Sequence, residues 1–204
     1  MSKQKIKVAI TGNIGSGKSL FSNYIEDEGF VVLKADEIGK EILADDEKVK
    51  QKIIKLFGAG SYINGKPDTK YLAQNVFSNL GKVQKINSVI HPAVISIINK
   101  KMNEELNLKP VVFVEAALIY EADMEEMFDF VVLISADEKL RMERKKSSIS
   151  LSEEEFLKRD HNQIPDSEKR KRADFIFENN STMADLKAKA NLLLMMLQSS
   201  AVNE

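Results

Sequence analysis

The sequence predicts an α/β fold built on a mainly parallel sheet, and three observations carry that prediction. An apolar run, Val8-Ala9-Ile10, leads into Thr11-Gly12-Asn13-Ile14-Gly15-Ser16-Gly17-Lys18-Ser19, and a helical pattern starts at Leu20, so strand and helix frame a Gly-x4-Gly-Lys-Ser loop. A second apolar run, Phe30 to Leu33, closes a strand, helix, strand unit within about thirty residues. Later runs at 111–115, 131–134 and 175–177 alternate with helical stretches, as the strands of a sheet covered on both faces do.

Taken in order, Ile6 to Ile10 reads as a buried parallel strand from its continuous apolar character. The first helix runs from Lys18 to Asp27, and Gly29 ends it in a C-cap role. The second strand stops at Lys34-Ala35-Asp36. With this strand beside the loop-bearing one, Asp36 stands at the carboxyl edge of the sheet, where open α/β sheets bind ligands.

From Glu37 the pattern is helical: Ile38, Ile42, Val49, Ile53, Ile54 and Phe57 recur at helical spacing until Gly58-Ala59-Gly60. Asn64-Gly65-Lys66-Pro67 reads as a turn, Asp68 or Thr69 as an N-cap, and Leu72, Val76 and Phe77 as a helix face. Ile86 to His91 and Ala93 to Leu106 carry more helix, with Pro92 opening a new one. No strand signal occurs in this block, so it reads as a helical insertion over the carboxyl edge.

Strands follow at Val111 to Glu115, Val131 to Ile134 and Phe175 to Phe177. The stretch Asp137 to Lys171 is charged and helical, with a serine-rich break at Ser147-Ser148-Ile149-Ser150. The last helix, Met183 to Gln198, offers Leu186, Ala190, Leu193, Leu194 and Leu197 to the sheet.

At 204 residues the chain suits one sizeable core with appendages. Thirty basic residues against 31 acidic ones make no global electrostatic case for nucleic acid or a membrane surface. Cysteine is absent, which excludes disulfides, thiolate metal sites and a cysteine nucleophile. With no signal peptide and no apolar run of membrane-spanning length, a cytoplasmic protein acting on a small molecule, monomeric or a weak homo-oligomer, is the expectation.

The loop dictates the first layer of chemistry. Its glycines let the backbone curl around an anion with N–H groups inward, and the helix that follows aims its positive end at the same phosphates. The expected nucleotide-binding residues are Gly12, Asn13, Ile14, Gly15, Ser16, Gly17, Lys18, Ser19 and Leu20. Lys18 reaches the β and γ phosphates and acts in catalysis, while the Ser19 hydroxyl ligates Mg²⁺. Glu115 closes an apolar strand, where a carboxylate backs the magnesium shell or, alternatively, is a solvated loop residue. Asp36 either orients a substrate hydroxyl and accepts its proton or caps the helix after it. Basic residues cluster at Arg141, Arg144, Lys145 and Lys146 and again at Lys169-Arg170-Lys171-Arg172, and these runs read either as solvated helix faces or as the source of a lid arginine over the migrating phosphoryl group. His91 and His161 lack a third ligand for a transition metal, so His91 is read as structural or as a substrate contact.

A regulatory GTPase is the sharpest competing class. Asp36-Glu37-Ile38-Gly39 matches an Asp-x-x-Gly switch, and Asn99-Lys100-Lys101 resembles the start of Asn-Lys-x-Asp. Met102 stands where the final aspartate is needed, and Asp36 follows Ser19 too closely for a first switch loop.

With these residues in hand the chain resembles the dephospho-CoA kinase family. The matches, in order, are Thr11 to Ser19, Ala35-Asp36, His91-Pro92, Glu115 to Glu121, Leu151 to Glu155, Gln163-Ile164-Pro165, Glu168 to Asp174 and Glu178-Asn179-Asn180. The resemblance implies a P-loop kinase-type three-layer fold with a nucleotide core (1–36, 108–136 and 172–204), a helical substrate domain (37–107) and a helical lid (137–171). It implies ATP-dependent phosphorylation of the ribose 3′-hydroxyl of dephospho-CoA, with Mg²⁺, giving coenzyme A and ADP. Asp36 matches the carboxylate that activates that hydroxyl, and the family's lid arginine falls at Arg141 or Arg144, with Arg144 favoured. Asp36, His91, Leu118, Tyr120 and Glu121 are the expected substrate residues, the aromatic and acidic tips of the segment Ala116 to Glu121 suiting a ligand where composition alone reads that segment as core. Leu20, Lys34 and Ala117 depart from the family pattern, which commonly has threonine, aspartate and proline there. Another small-molecule kinase, or a nucleotide-binding regulator without turnover, is the alternative.

Overall fold

The computed structural model describes residues 5–76, 79–149 and 151–200. The chain opens with β1 (Ile6–Thr11), passes through the glycine loop into α1 (Lys18–Asp27) and forms β2 (Val31–Lys34). Next come α2 (Ala35–Asp45), α3 (Glu47–Phe57), the two-residue strands β3 (Tyr62–Ile63) and β4 (Lys66–Pro67), α4 (Thr69–Val76) and α5 (Leu80–Glu105). The sheet resumes with β5 (Val111–Glu115) and β6 (Phe130–Ser135), followed by α6 (Glu138–Ile149), α7 (Glu153–His161) and α8 (Asp166–Arg172). β7 (Phe175–Glu178) and α9 (Met183–Ser200) complete the described chain. The backbone divides into two compact units, one of residues 1–33 and 102–204 and one of Lys34–Lys101.

The larger unit carries a five-stranded sheet in the order β2-β5-β1-β6-β7. β1 pairs in parallel with β5 and β6, and β6 pairs in parallel with β7. Register sets Ile10 against both Glu115 and Val132, so the carboxyl ends of β1, β5 and β6 lie side by side. Alternation then sorts the side chains between faces. Val8, Ile10, Phe113, Val132 and Ile134 pack with Phe21 and Ile25 of α1 and with Leu186, Ala190, Leu193, Leu194 and Leu197 of α9. The predicted apolar face of the last helix is therefore the one buried. The intervening residues Ala9, Val112, Val114, Val131 and Leu133 are buried too, which makes this an α/β sheet covered on both faces. Among the described residues no helix is long and apolar enough to cross a membrane.

Four expectations need correction. β2 does not lie beside β1; β5 stands between them. All five β5 residues are buried, whereas β2 is mostly half-buried and ends in Lys34, so the apolar strand takes the interior place and the polar one the edge. Pro92 does not open a helix but lies inside the continuous α5. Val83, Ile86, Val94 and Ile98, on both sides of it, are buried along one stripe, and that shared burial outweighs a local proline cost of about 3 kcal/mol. The helical block also holds a strand pair: β3 and β4 are antiparallel around Asn64 and Gly65, both at positive φ. Asn-Gly selects such a tight turn, but strands of two residues show no readable alternation. Finally, α6 runs through Ser147, Ser148 and Ile149, so the serine-rich stretch does not break there. Ser150 and Phe77, both expected in named roles, lie outside the described residues.

Caps hold the local reading elsewhere. The Asp68 carboxylate accepts from the amides of Lys70 and Tyr71, each at 3.0 Å, as an N-cap of α4 does. Ser152 and Glu155 form a reciprocal capping box at α7.

Candidate active site

The site grows from the carboxyl end of β1. Gly15 and Gly17 take φ of +81° and +96°, conformations that L side chains resist, and between them the buried Ser16 donates its amide to the Asn13 carbonyl at 3.0 Å. Gly17 occupies the N-cap of α1 and supplies no side chain, so the first amides of that helix carry no side-chain cap. Free N–H groups at a helix start, with the dipole behind them, form an anion site. Lys18, the first residue of α1, is half-buried there. Behind the loop the Asn179 amide donates to the Ser16 carbonyl at 2.8 Å, tying the end of β7 to the loop.

Space at Gly15 is closed by backbone. A Cβ there would come within 2.5 Å of the Arg141 carbonyl oxygen, which no rotamer can relieve. Gly15→Ala is expected to weaken ATP binding roughly tenfold or more, since a left-handed non-glycine residue costs about 1–2 kcal/mol before the clash is counted. Titration with a non-hydrolysed ATP analogue checks this, and wild-type affinity would refute it.

The two expected metal residues are brought together. The Ser19 hydroxyl donates to Glu115 Oε1 at 2.7 Å, and Glu115 is buried at the end of β5. Hard oxygen donors next to a phosphate cradle suit Mg²⁺, which keeps most of its shell for phosphate oxygens and water. Accordingly, no group of three or more His, Cys, Asp or Glu residues among the described ones forms a protein-only metal cage. Ser19 and Glu115 thus fit the ion, and the solvated reading of Glu115 does not hold.

The segment after β5 is engaged within the protein. Leu118 is half-buried, and Tyr120 is buried with the Arg172 guanidinium 4.3 Å from its ring centre. Burial pushes the Tyr120 hydroxyl up to about 12. Glu121 Oε1 accepts from the Ile164 amide at 2.7 Å and from Lys169 Nζ at 3.0 Å. Lys169 is fully buried and also donates to the Ala117 carbonyl at 3.2 Å; burial holds its ammonium below the usual lysine range, against the pull of Glu121. Sequence reasoning assigned no role to Asp160 or Asn179 and read Lys169 only as part of a charged run, because each acts through partners at least 19 residues away.

The two arginines expected as lid candidates differ in environment. Arg141 is buried, paired in a two-pronged bridge with Asp160. Arg144 donates through Nη2 to the Asn179 carbonyl at 2.8 Å, while its buried Nη1 makes no hydrogen bond among the described residues.

In the smaller unit, Asp36 is exposed in the first turn of α2. The residue at the N-cap is Lys34 and no side chain caps that helix, so the N-cap reading of Asp36 fails. His91 is half-buried in the middle of α5.

Comparison with known proteins matches this geometry. The family model described as dephospho-CoA kinase matches residues 6–185. A curated dephospho-CoA kinase of Protochlamydia amoebophila is 34% identical over 183 residues, covering 88% of this chain and 90% of the relative. One from Thermus thermophilus is 32% identical over 200 residues, covering 98% and 95%. The solved dephospho-CoA kinase of Campylobacter jejuni superposes with a TM-score of 0.73 at 27% identity, covering 97% of this chain and 99% of that one. A shikimate kinase of Acinetobacter baumannii, with a TM-score of 0.57 at 13% identity, shares the fold alone. The chain is a member of the dephospho-CoA kinase family.

Proposed function

We propose that the chain transfers the γ-phosphate of ATP to the ribose 3′-hydroxyl of dephospho-CoA, giving coenzyme A and ADP. The observation that carries this reading is the family match over residues 6–185, which spans the phosphate loop, the Ser19–Glu115 pair and the arginine-bearing helices. Lys18 and the loop amides hold the β and γ phosphates. Ser19, with Glu115 behind it, holds Mg²⁺, which neutralises charge on the β and γ oxygens. Asp36 orients the acceptor hydroxyl and takes its proton. Arg144, with one nitrogen uncommitted among the described residues, steadies the migrating phosphoryl group.

In this reading residues 37–107 receive dephospho-CoA, with His91 among its contacts, and residues 137–171 act as the lid. Leu118, Tyr120 and Glu121 shape the substrate side from beneath, since Tyr120 is buried and Glu121 is committed to Ile164 and Lys169. The protein works in the cytoplasm on small molecules, as a monomer or weak homo-oligomer, without nucleic acid or membrane.

The test is ADP release in a coupled assay with ATP, Mg²⁺ and either dephospho-CoA, adenosine, AMP or no acceptor. Dephospho-CoA is expected to give turnover well above every other arm. Preference for a nucleoside, or release that ignores the acceptor, would overturn the assignment. ATP binding without any turnover would support the regulator instead.

A further inference from the structure

The outer limb of the phosphate loop, Asn13-Ile14, is gripped by side chains far away in sequence. The Ile14 amide donates to Gln163 Oε1 at 2.8 Å, and the Ile14 carbonyl accepts from Arg141 Nη1 at 3.2 Å. Asn13 Nδ2 donates to Asp160 Oδ1 at 3.3 Å and to the Ile164 carbonyl at 3.4 Å. Arg141 is itself fixed, since Nε donates to the Ala136 carbonyl at 3.1 Å and the two terminal nitrogens bridge Asp160. Its guanidinium carbon also lies 5.6 Å from the centre of the Phe156 ring. Both backbone groups of Ile14 are thus spent on side chains of α6 and of the turn after α7. A glycine-rich loop has many accessible conformations, and one held in place by a two-pronged ion pair whose arginine is buried gives up that freedom before ligand arrives.

We propose that Arg141 and Asp160 are positioning residues that hold Asn13-Ile14 in the ATP-receiving shape of the loop. They set the affinity for nucleotide and leave the chemical step to other groups. Asp160 is the hinge of the device, because its carboxylate joins the α6 arginine to the loop asparagine. The proposal rests on the kinase reading only in taking the loop as a nucleotide site, whatever the acceptor.

The test measures ADP and ATP-analogue binding by calorimetry without acceptor, then steady-state kinetics, on wild type, Asp160→Asn, Asn13→Ala and the double variant. Loss of a part-buried charged hydrogen bond predicts roughly tenfold weaker ADP binding and a matching rise in KM for ATP in Asp160→Asn, with kcat within about twofold. A merely structural role would instead lower kcat through a smaller folded fraction and leave KM for ATP unchanged. The double variant should bind ADP no more weakly than the worse single one, since both cut the same contact. Asp160→Glu, which keeps the charge, should recover most of the affinity. Should Asp160→Asn not fold, Asn13→Ala reads the same contact from the loop side. Unchanged ADP affinity in the folded variants, or additive losses, would overturn the proposal. Because binding is read without acceptor, failure of the dephospho-CoA assignment would not mimic either result.

Discussion

Asp36→Asn is expected to lower kcat by about a hundredfold or more while ATP affinity stays near wild type, the usual size of a general-base effect. The carboxylate is exposed in the first turn of α2, which begins directly after β2. Asparagine keeps the shape and a hydrogen-bond acceptor but cannot take a proton from a hydroxyl. A helix-capping role would predict a different outcome, and the structure already removes it, since no side chain caps α2 and Lys34 occupies the cap. What remains besides catalysis is a favourable charge at a helix start, worth about 0.3–1 kcal/mol at an exposed site. Stability should therefore change little. Pre-steady-state phosphoryl transfer to dephospho-CoA, with ATP binding measured separately, checks the claim. An unchanged rate would reduce Asp36 to a helix-terminus charge.

Lys169→Met should produce the largest loss of stability, about 3–5 kcal/mol, as expected when one partner of a buried ion pair is removed. Lys169 is fully buried, and its ammonium serves Glu121 and the Ala117 carbonyl together. The same Ala117 carbonyl accepts from the Thr11 hydroxyl at 3.4 Å, so the lysine braces the segment after Glu115 against the end of β1. Removing it strands the Glu121 carboxylate, whose Oε2 already lacks a partner among the described residues. For a chain of this size each kcal/mol moves Tm by roughly 2–4 °C, so calorimetry should show a fall of roughly 6–20 °C. Lys169→Met combined with Glu121→Leu should regain much of it, because replacing both charges with apolar groups removes the stranded one. A single variant as stable as wild type would mean that the pair contributes nothing to holding this segment.

Much of the architecture was legible because its causes are local. The phosphate loop needs glycine at fixed spacings between a strand and a helix start, and Gly15, Gly17, Lys18 and Ser19 occupy their expected places. The α9 face followed from helical spacing of leucines, and Asp68 from cap chemistry. The Ser19–Glu115 pair was foreseeable because Glu115 ends a legible strand and Ser19 lies in the first turn of a legible helix, and parallel register sets Glu115 beside the end of β1 from which the loop leads into that helix.

Other features were not legible, for specific reasons. That Arg141 is committed to an ion pair could not be read locally, because its partner Asp160 lies 19 residues further on. Pro92 carries a local stop signal that burial on both sides of it overrides. Lys169 sits in a run, Lys169-Arg170-Lys171-Arg172, that reads as a solvated helix face, yet helical geometry turns one of these four charges inward.

By itself the sequence determined the α/β class, the anion cradle and the family, since backbone freedom, periodicity and motif order are properties of neighbouring residues. Only the tertiary structure decided that β5 separates β2 from β1, which arginine is committed to an ion pair, and which charges are buried as braces. Those outcomes depend on how elements distant in the chain compete for the same interior and the same hydrogen-bond partners, and no local pattern records that competition.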